Sequence, residues 1–416
     1  MSNFADLRSL IPSLDSADIA LASIPGGRRA ALLQLSKIEP ALYGKTRNHL
    51  DGDVTRLSPY LRHGVLALAE VRDFALTHYK PSSISKFLNE LAWRDYYQRV
   101  WHVAGDLIWK DLEPYKTGRL AADYADELPS ALLDARTGID YVDYFVNELQ
   151  STGYLHNHAR MWLAAYVVHG LKCKWQAGAR WFLRHLMDGD EASNNLSWQW
   201  CASTFSHKPY IYNRENVHKY SGDRFHVGPD PRDPFDGSYE DVAARLFDDH
   251  GSSGDTFDPP AINWRADANL PVDSAPTDIH HTVTWVHDGM LSATHPAIAS
   301  GCPCFFAWDL AHIKSGAQTF KRLDFQNQCL EELPNLTIMP SEDVAKSVAE
   351  FARQQSATRI RTGHTPDPRL KRVIKNLRKH FEVLCLDHPP LVELEGAVDL
   401  KRFSRYWGKA EKVLIG

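Results

Sequence analysis

Ser151-Thr-Gly-Tyr-Leu-His-Asn157-His-Ala-Arg160-Met161-Trp162, then Trp175, then Asp188-Gly-Asp190-Glu-Ala-Ser-Asn194-Asn-Leu-Ser-Trp198-Gln-Trp200 is the stretch on which the reading turns. Helical spacing puts Asn157, Arg160 and Met161 on one face. An interior arginine needs a carboxylate, because an unpaired buried charge is very costly. Asp188 or Asp190 supplies it, and Gly189 between them permits a tight turn. The second aspartate is then left to accept from a ligand N–H. A wall of Asn, Arg, two Asp and Asn suits a large, flat, polar ligand. A buried Arg–Asp clamp that only ties helices together is the plain alternative.

Working outward toward the N-terminus, residues 83–103 have amphipathic helical periodicity, with Ser83 as the expected cap. Glu90, Trp93, Arg94 and Tyr97 fall on one face. A carboxylate beside a tryptophan on a buried face is suited to hold a proton or a ligand hydrogen bond; on a solvated face the same residues make a Glu–Arg pair over a snorkelling ring. Upstream, Ser58-Pro59 reads as a helix start, Ser as N-cap and Pro first in the helix. Thr55 and Ser58 put hydroxyls where a helix N-terminus favours an anion such as a pyrophosphate, unless this is only a capped surface helix. Tyr43 to Asn48 reads as a polar turn, and residues 16–37 as helical. Further helices are expected near 139–152, 154–173 and 176–187.

Composition bounds the rest. A chain of 416 residues with 44% hydrophobic and 24% charged residues fits a globular protein of two domains. No run of about 18 apolar residues exists, so no membrane partner is expected. Met1-Ser-Asn-Phe-Ala-Asp lacks a basic stretch followed by an apolar core, so no secretory signal is expected. Six scattered cysteines without a CxxC pair read as reduced thiols in a cytoplasm. Histidines are plentiful, but no metal-ligand spacing appears, so no metal is expected. Residues 226–278 hold 12 acidic against 3 basic residues and are rich in Pro, Gly and Ser. They read as an acidic linker with one short helix near 239–248. The net charge of −5 gives no support for a nucleic-acid partner beyond a local basic patch. Arg94, His158, Lys208, Arg214 and Lys219 are candidates for such a phosphate-binding rim, a solvated surface being the alternative.

Beyond the linker, strand and helix patterns alternate. Strands are expected at Thr282–His287, Pro303–Trp308, Leu336–Met339, Thr358–Thr362 and Phe381–Leu386, with helices at 318–333, 342–355 and 368–380. That rhythm argues a parallel α/β sheet. The fold class is therefore α plus α/β: a helical domain over 1–225, a linker over 226–278 and a Rossmann-like α/β domain over 279–416.

Four linked motifs, Thr55-Arg-Leu57-Ser58-Pro-Tyr-Leu, Asn89-Glu90-Leu-Ala-Trp93-Arg94-Asp-Tyr-Tyr, Ser151 to Met161, and Asp188 to Trp200, resemble the FAD-binding domain of the DNA photolyase/cryptochrome family in order and approximate spacing. The resemblance covers about 43–220. It implies that Tyr43, Thr55, Leu57 and Ser58 hold the FAD diphosphate and ribityl region. Asn157, Arg160, Asp188, Asp190 and Asn194 then wall the isoalloxazine ring, with Asn194 facing its N5. Glu90, Trp93, Asn157, Met161 and Trp200 receive a flipped cyclobutane pyrimidine dimer from UV-damaged DNA, single- or double-stranded. A poorly stacked lesion costs little to flip, and aromatic walls replace its neighbours. The implied activity is light-driven repair by electron transfer from excited reduced flavin. A cryptochrome-like photoreceptor with a signalling partner and no repair turnover is the second implication, and a light-independent flavin redox protein the third.

Departures accompany the likeness. Trp198 and Trp175 match the inner two tryptophans of the family's photoreduction chain, yet no tryptophan lies between Trp109 and Trp162, where the outer one is usual. Tyr115, Tyr124, Tyr141, Tyr144, Trp162 and Trp181 are the substitutes considered. Trp285-Val-His-Asp-Gly and Cys304-Phe-Phe-Ala-Trp-Asp309 resemble, more weakly, the opening of the family's antenna domain, which usually comes first. The two domains would then occur in swapped order. A second, antenna chromophore there is left open, a structural partner domain being the alternative.

Overall fold

The computed structural model describes residues 22–225, 228–247, 257–267, 269, 272–274, 279–298 and 301–416. These fall into two compact units, and the division does not follow chain order. The first holds the described residues up to Pro40, Thr55–Gly105 and Trp264–Gly416; the second holds Ala41–Val54 and Asp106–Asn263. The helices used below are α1 (Ser85–Ala104), α2 (Asp140–Thr152), α3 (Asn157–Ala165), α4 (Trp175–His185), α5 (Glu191–Ala202), α6 (Val344–Gln354), α7 (Pro368–Leu377) and α8 (Phe403–Leu414). The strands are β1 (Arg265–Asp267), β2 (Thr282–Val286), β3 (Cys304–Asp309), β4 (Leu336–Ser341), β5 (Arg359–Gly363), β6 (Glu382–Leu386) and β7 (Ala397–Asp399).

In the first unit, β2 to β6 make the expected parallel sheet, in the order β4-β3-β2-β5-β6. Every residue of β2 is buried, as a central strand covered on both faces requires. Register pairs Trp285 with Phe305 and Ile360 with Val383. Val348 and Ala352 of α6 and Ile374 and Leu377 of α7 pack on Val283, Trp285 and Phe305 to form this core. A cleft opens at the carboxyl ends of β2 and β3, lined by His287, Asp288, Trp308, Asp309, His312 and Arg369. That is where open α/β sheets place ligands. Here the polar groups engage one another: Arg369 reaches Asp309 at 3.1 Å, Asp367 at 3.3 Å and Asp288 at 3.6 Å.

The structure regroups α1. Expected in the helical domain, it packs in the first unit against α8, a C-terminal helix absent from the sequence reading that itself contacts β7 of the antiparallel β1–β7 ribbon. The cause is a polar seam on its buried face. Arg99 pairs with Asp95 one turn earlier at 2.6 Å and donates to the Val392 carbonyl at 3.1 Å; the Tyr406 hydroxyl donates to Asp95, and that of Tyr96 to the Leu400 carbonyl. The cap of α1 is Ile84 rather than Ser83, whose hydroxyl donates to the Lys80 carbonyl inside a preceding turn at Pro81–Ser83.

The second unit is helical. α2 ends in the left-handed residue Gly153 at φ +68°, a conformation with little cost only for glycine. The helix expected over 154–173 is shorter: His156 caps it by accepting from His158 N at 3.1 Å, and past Ala165 it widens into a π turn at Tyr166–Gly170. α3, α4 and α5 pack together around Trp162, Leu163, Trp175, Phe182 and Trp198. The acidic stretch is also not a free linker where it is described. Asp233 is buried, accepting from Tyr141 Oη at 3.0 Å and from Arg214 Nη1 at 3.0 Å, and Phe235 stacks on Tyr212 at 4.1 Å. Its carboxylate density serves an internal arginine. The expected short helix forms at Tyr239–Leu246, while residues 226–227, 248–256 and several to 278 lie outside the described set. No described helix is long and apolar enough to cross a membrane.

Candidate functional site

The polar wall read from residues 151–200 forms in the second unit at the N-terminal ends of α3 and α5. Arg160 Nη2 meets both oxygens of Asp188, at 3.0 and 3.1 Å, while its Nε donates to the Leu155 carbonyl at 2.8 Å. The guanidinium is thus fixed in its plane. Asp188 and Asp190 are both buried. Asp190 is the N-cap of α5: its carboxylate accepts from Ala192 N at 3.2 Å and from Ser193 Oγ at 3.0 Å. The expectation that it is held in reserve for a ligand is therefore altered, because its first duty is to satisfy the orphan amides of a helix start.

Asn194, one turn into α5, gives its amide hydrogens inward, to the Ala179 carbonyl and to Asn195 Oδ1, both at 3.1 Å. That orientation leaves Oδ1 on a half-buried surface without a partner among the described residues. Asn157 is exposed, and its Nδ2 lies 3.8 Å from Met161 Sδ, so these two share the face that helical spacing assigns to them. Trp200 packs against Tyr210 at 5.6 Å. His158 is kept neutral in this unit: burial, then the charges of Arg47 and His49, lower its pKa to about 4.

The remaining expected residues belong partly to the first unit. There Glu90 pairs with Lys86 one turn back at 2.7 Å. Trp93 stacks on Phe403 of α8, 3.7 Å between ring centres and 10° from parallel, so one of its faces is already covered. A role for Trp93 as an open wall is narrowed accordingly. Ser58 is the first residue of a five-residue helix, Ser58–Arg62, and Leu57 is its cap, one position earlier than expected. Thr55 Oγ1 accepts from Leu57 N at 3.4 Å. Tyr43 lies in the second unit, inside a short helix, Pro40–Thr46, rather than in a turn. Proline before an Ala-Leu pair starts that helix, which the glycine at 44 does not break.

Below the wall lies an aromatic column. Trp198 of α5 is buried against α4 at Gly178, where an added Cβ would collide with the six-membered ring of the indole. One turn before Gly178, Trp175 is fully buried and donates from Nε1 to Asp111 Oδ1 at 2.6 Å. Burial holds the Asp111 carboxyl above its ordinary range. Trp109 lies beside Trp175, rings 14° from parallel with centres 6.4 Å apart. Its Nε1 donates to Glu191 Oε2 at 3.3 Å, and the Arg180 guanidinium stands 5.2 Å from its centre. Trp109, Asp111 and Glu191 were not picked out in the sequence. Their partners are distant in the chain, and no period or spacing connects the 105–112 loop to α4 and α5.

Residues 87–223 match the family model described as the FAD binding domain of DNA photolyase. A deoxyribodipyrimidine photo-lyase of Streptomyces griseus is 38% identical over 163 residues, 39% of this chain and 35% of the relative. One from Halobacterium salinarum is 32% identical over 160 residues, 36% and 32% of the two chains. The match thus spans about a third of the length of these relatives. Among solved structures, a class III photolyase from Agrobacterium tumefaciens aligns at 25% identity with a TM-score of 0.42, over 53% of this chain and 44% of that one. The cryptochrome of Synechocystis aligns at 22% identity with a TM-score of 0.43, over 51% and 47%. The matched segment is similar to the FAD binding domain of DNA photolyase.

Proposed function

We propose that the chain binds FAD and acts as a light-dependent photolyase on cyclobutane pyrimidine dimers in DNA. The observation that carries this is the arrangement at the head of α3 and α5: a guanidinium locked by Asp188, a buried carboxylate at Asp190, and a half-buried Asn194 whose amide hydrogens are held by Ala179 and Asn195. An isoalloxazine ring has a polar edge of alternating donors and acceptors, and this donor set fits it. Arg160 and Asp188 would flank the ring, Asp190 would accept from its N–H, and Asn194 would face N5. When bound and reduced, FAD supplies a photoexcited one-electron donor. The protein's part is to hold the ring, exclude water and receive the lesion. Asn157, Met161 and Trp200 are proposed for lesion contact in the helical unit. The roles of Glu90 and Trp93, and of Tyr43, Thr55, Leu57 and Ser58 toward the diphosphate, rest on the family resemblance alone. The six buried cysteines, all outside disulfides, support a reducing compartment such as the cytoplasm.

The test is direct. Purified protein is loaded with FAD, reduced chemically, and given a dimer-containing single strand under blue light. Restoration of intact thymines in light and not in darkness is expected. Bound FAD without turnover would discard the enzyme and leave a photoreceptor built on the same wall.

A further inference from the structure

We propose that Cys302 and Cys304 are a peroxide-sensitive thiol pair, in which Cys302 is oxidised beside the Arg361 guanidinium and Cys304 resolves it as a disulfide. The pair lies in the first unit and takes no part in the flavin chemistry. Arg361, in β5, is 4% exposed yet lacks the partner that burial demands. Arg359, two residues earlier on the same strand face, pairs with Glu382 at 2.8 Å. Arg361 meets no carboxylate among the described residues: its Nη2 donates to the Pro296 carbonyl at 2.8 Å, and its Nε has no acceptor. A buried guanidinium left in this state is costly, and an anion beside it offsets that cost. Burial lowers the Arg361 pKa, Cys302 opposes that shift, and Arg359 adds to it. The group able to supply the missing negative charge is therefore the Cys302 sulfur.

Sheet register sets the parts in one row. Thr284 of β2 pairs with Arg361 of β5 on one side and with Cys304 of β3 on the other. In-register residues of neighbouring strands share a face, and the strands lie about 4.8 Å apart. Cys302 returns to that face because strand side chains alternate with a period of two. The Thr284 amide donates to the Pro303 carbonyl at 2.9 Å, so pairing with β2 already includes the residue between the two thiols. The opposite face carries the apolar core of Val283, Phe305 and Ile360. The two thiols differ. Cys304 Sγ donates to the Cys302 carbonyl at 3.3 Å, and burial pushes its pKa up to about 11, so it stays protonated. Both are buried, but Cys302 lies between exposed Gly301 and Pro303 and is the thiol that a small oxidant reaches first. Hydrogen peroxide is that oxidant. The Cys302 sulfur, as thiolate, attacks one peroxide oxygen and the O–O bond breaks. Hydroxide leaves and takes up the proton that the thiol released, and a sulfenic acid remains. Its oxygen is an acceptor for the open Arg361 Nε–H. Cys304 then attacks the Cys302 sulfur: the S–S bond forms, the S–O bond breaks, and the Cys304 proton leaves with the oxygen as water. Two thiols have lost two electrons, and one peroxide has become two waters. Two strand residues span about 6.6 Å, near the upper limit of about 6.8 Å between the Cα atoms of a disulfide, so the bond is readily reduced again.

The experiment treats the purified full chain with hydrogen peroxide in darkness, as wild type, Cys302→Ser, Cys304→Ser and Arg361→Gln. Free thiols are counted in denaturant. Dimedone traps sulfenic acid, and mass spectrometry maps the oxidised positions. Wild type should lose two of its six thiols, with the peptide holding Cys302 and Cys304 lighter by two hydrogens and restored by dithiothreitol. Cys304→Ser should accumulate the dimedone adduct at Cys302, and Cys302→Ser should give no adduct at Cys304. Arg361→Gln should oxidise about tenfold more slowly, since a charge-assisted hydrogen bond is worth at least that factor. Circular dichroism checks that each variant folds; if Arg361→Gln does not, the two serine variants decide the pair by themselves. Loss of a cysteine outside the pair first, an adduct at Cys304 in Cys302→Ser, or a full thiol count after peroxide overturns the pair. Oxidation of folded Arg361→Gln at the wild-type rate overturns the part given to the arginine.

Discussion

Gly178→Ala tests the packing on which the aromatic column depends. Within a helix, Ala is favoured over Gly by about 1 kcal/mol, so sequence logic alone expects the variant to be more stable. The structure expects the reverse. A methyl at position 178 would stand 2.9 Å from Cζ2 of Trp198 and closer still to its Cζ3 and Cη2. Trp198 is buried and faces Phe182 edge-on at 4.9 Å, so the ring has no free direction in which to retreat. Overpacking of this kind costs about 1–3 kcal/mol. With the Cβ that close to Cη2 and Cζ3 the upper part of that range applies, about 2–3 kcal/mol, and after subtracting the helix gain of about 1 kcal/mol the net loss should be about 1–2 kcal/mol. Urea unfolding followed by far-ultraviolet circular dichroism measures it, and near-ultraviolet dichroism reports whether the indole has moved. A variant as stable as wild type, or more so, with an unchanged near-ultraviolet spectrum would refute the claim that Gly178 is there for Trp198.

Two further outcomes follow. Asp188→Ala leaves the Arg160 guanidinium beside a buried gap; because that side chain is 23% exposed, the loss should be about 2 kcal/mol, below the 3–5 of a fully buried pair, and FAD uptake should weaken with it. Equal stability and equal uptake would reduce the pair to decoration. Stability should also fall with acid. His63 and His169 are fully buried, and burial lowers both to about 4 from an ordinary 6.5. The unfolded chain therefore binds protons below pH 6.5 that the folded chain refuses until about pH 4, so stability is full above 6.5 and declines between 6.5 and 4, by up to about 3 kcal/mol for each such group. Urea midpoints at pH 7.5, 5.5 and 4.5 check this, and a flat profile across that range would contradict it.

What could be read from the chain, and what could not, divides along a physical line. The five sheet strands and α2, α4, α6 and α7 were legible because each is a continuous run with its own period; observed ends differ by a few residues at most. The Arg160–Asp188 pair was legible because an interior guanidinium demands a carboxylate and only two stood nearby. Caps were misplaced by one residue at Ser58 and Ser83, since hydroxyl residues serve turns as readily as helix starts. The grouping of α1 was not legible at all. Its seam of Asp95, Arg99 and Tyr96 is answered by Tyr406, Val392 and Leu400, some three hundred residues on, and no local pattern announces such a partner. Trp109 was missed for the same reason. The fold brings it beside Trp175 from the loop before α2, with a carboxylate two residues away that accepts from the Trp175 indole. Where a contact depends on proximity rather than periodicity, spacing along the chain identifies the buried members of a cluster and leaves the peripheral one to geometry.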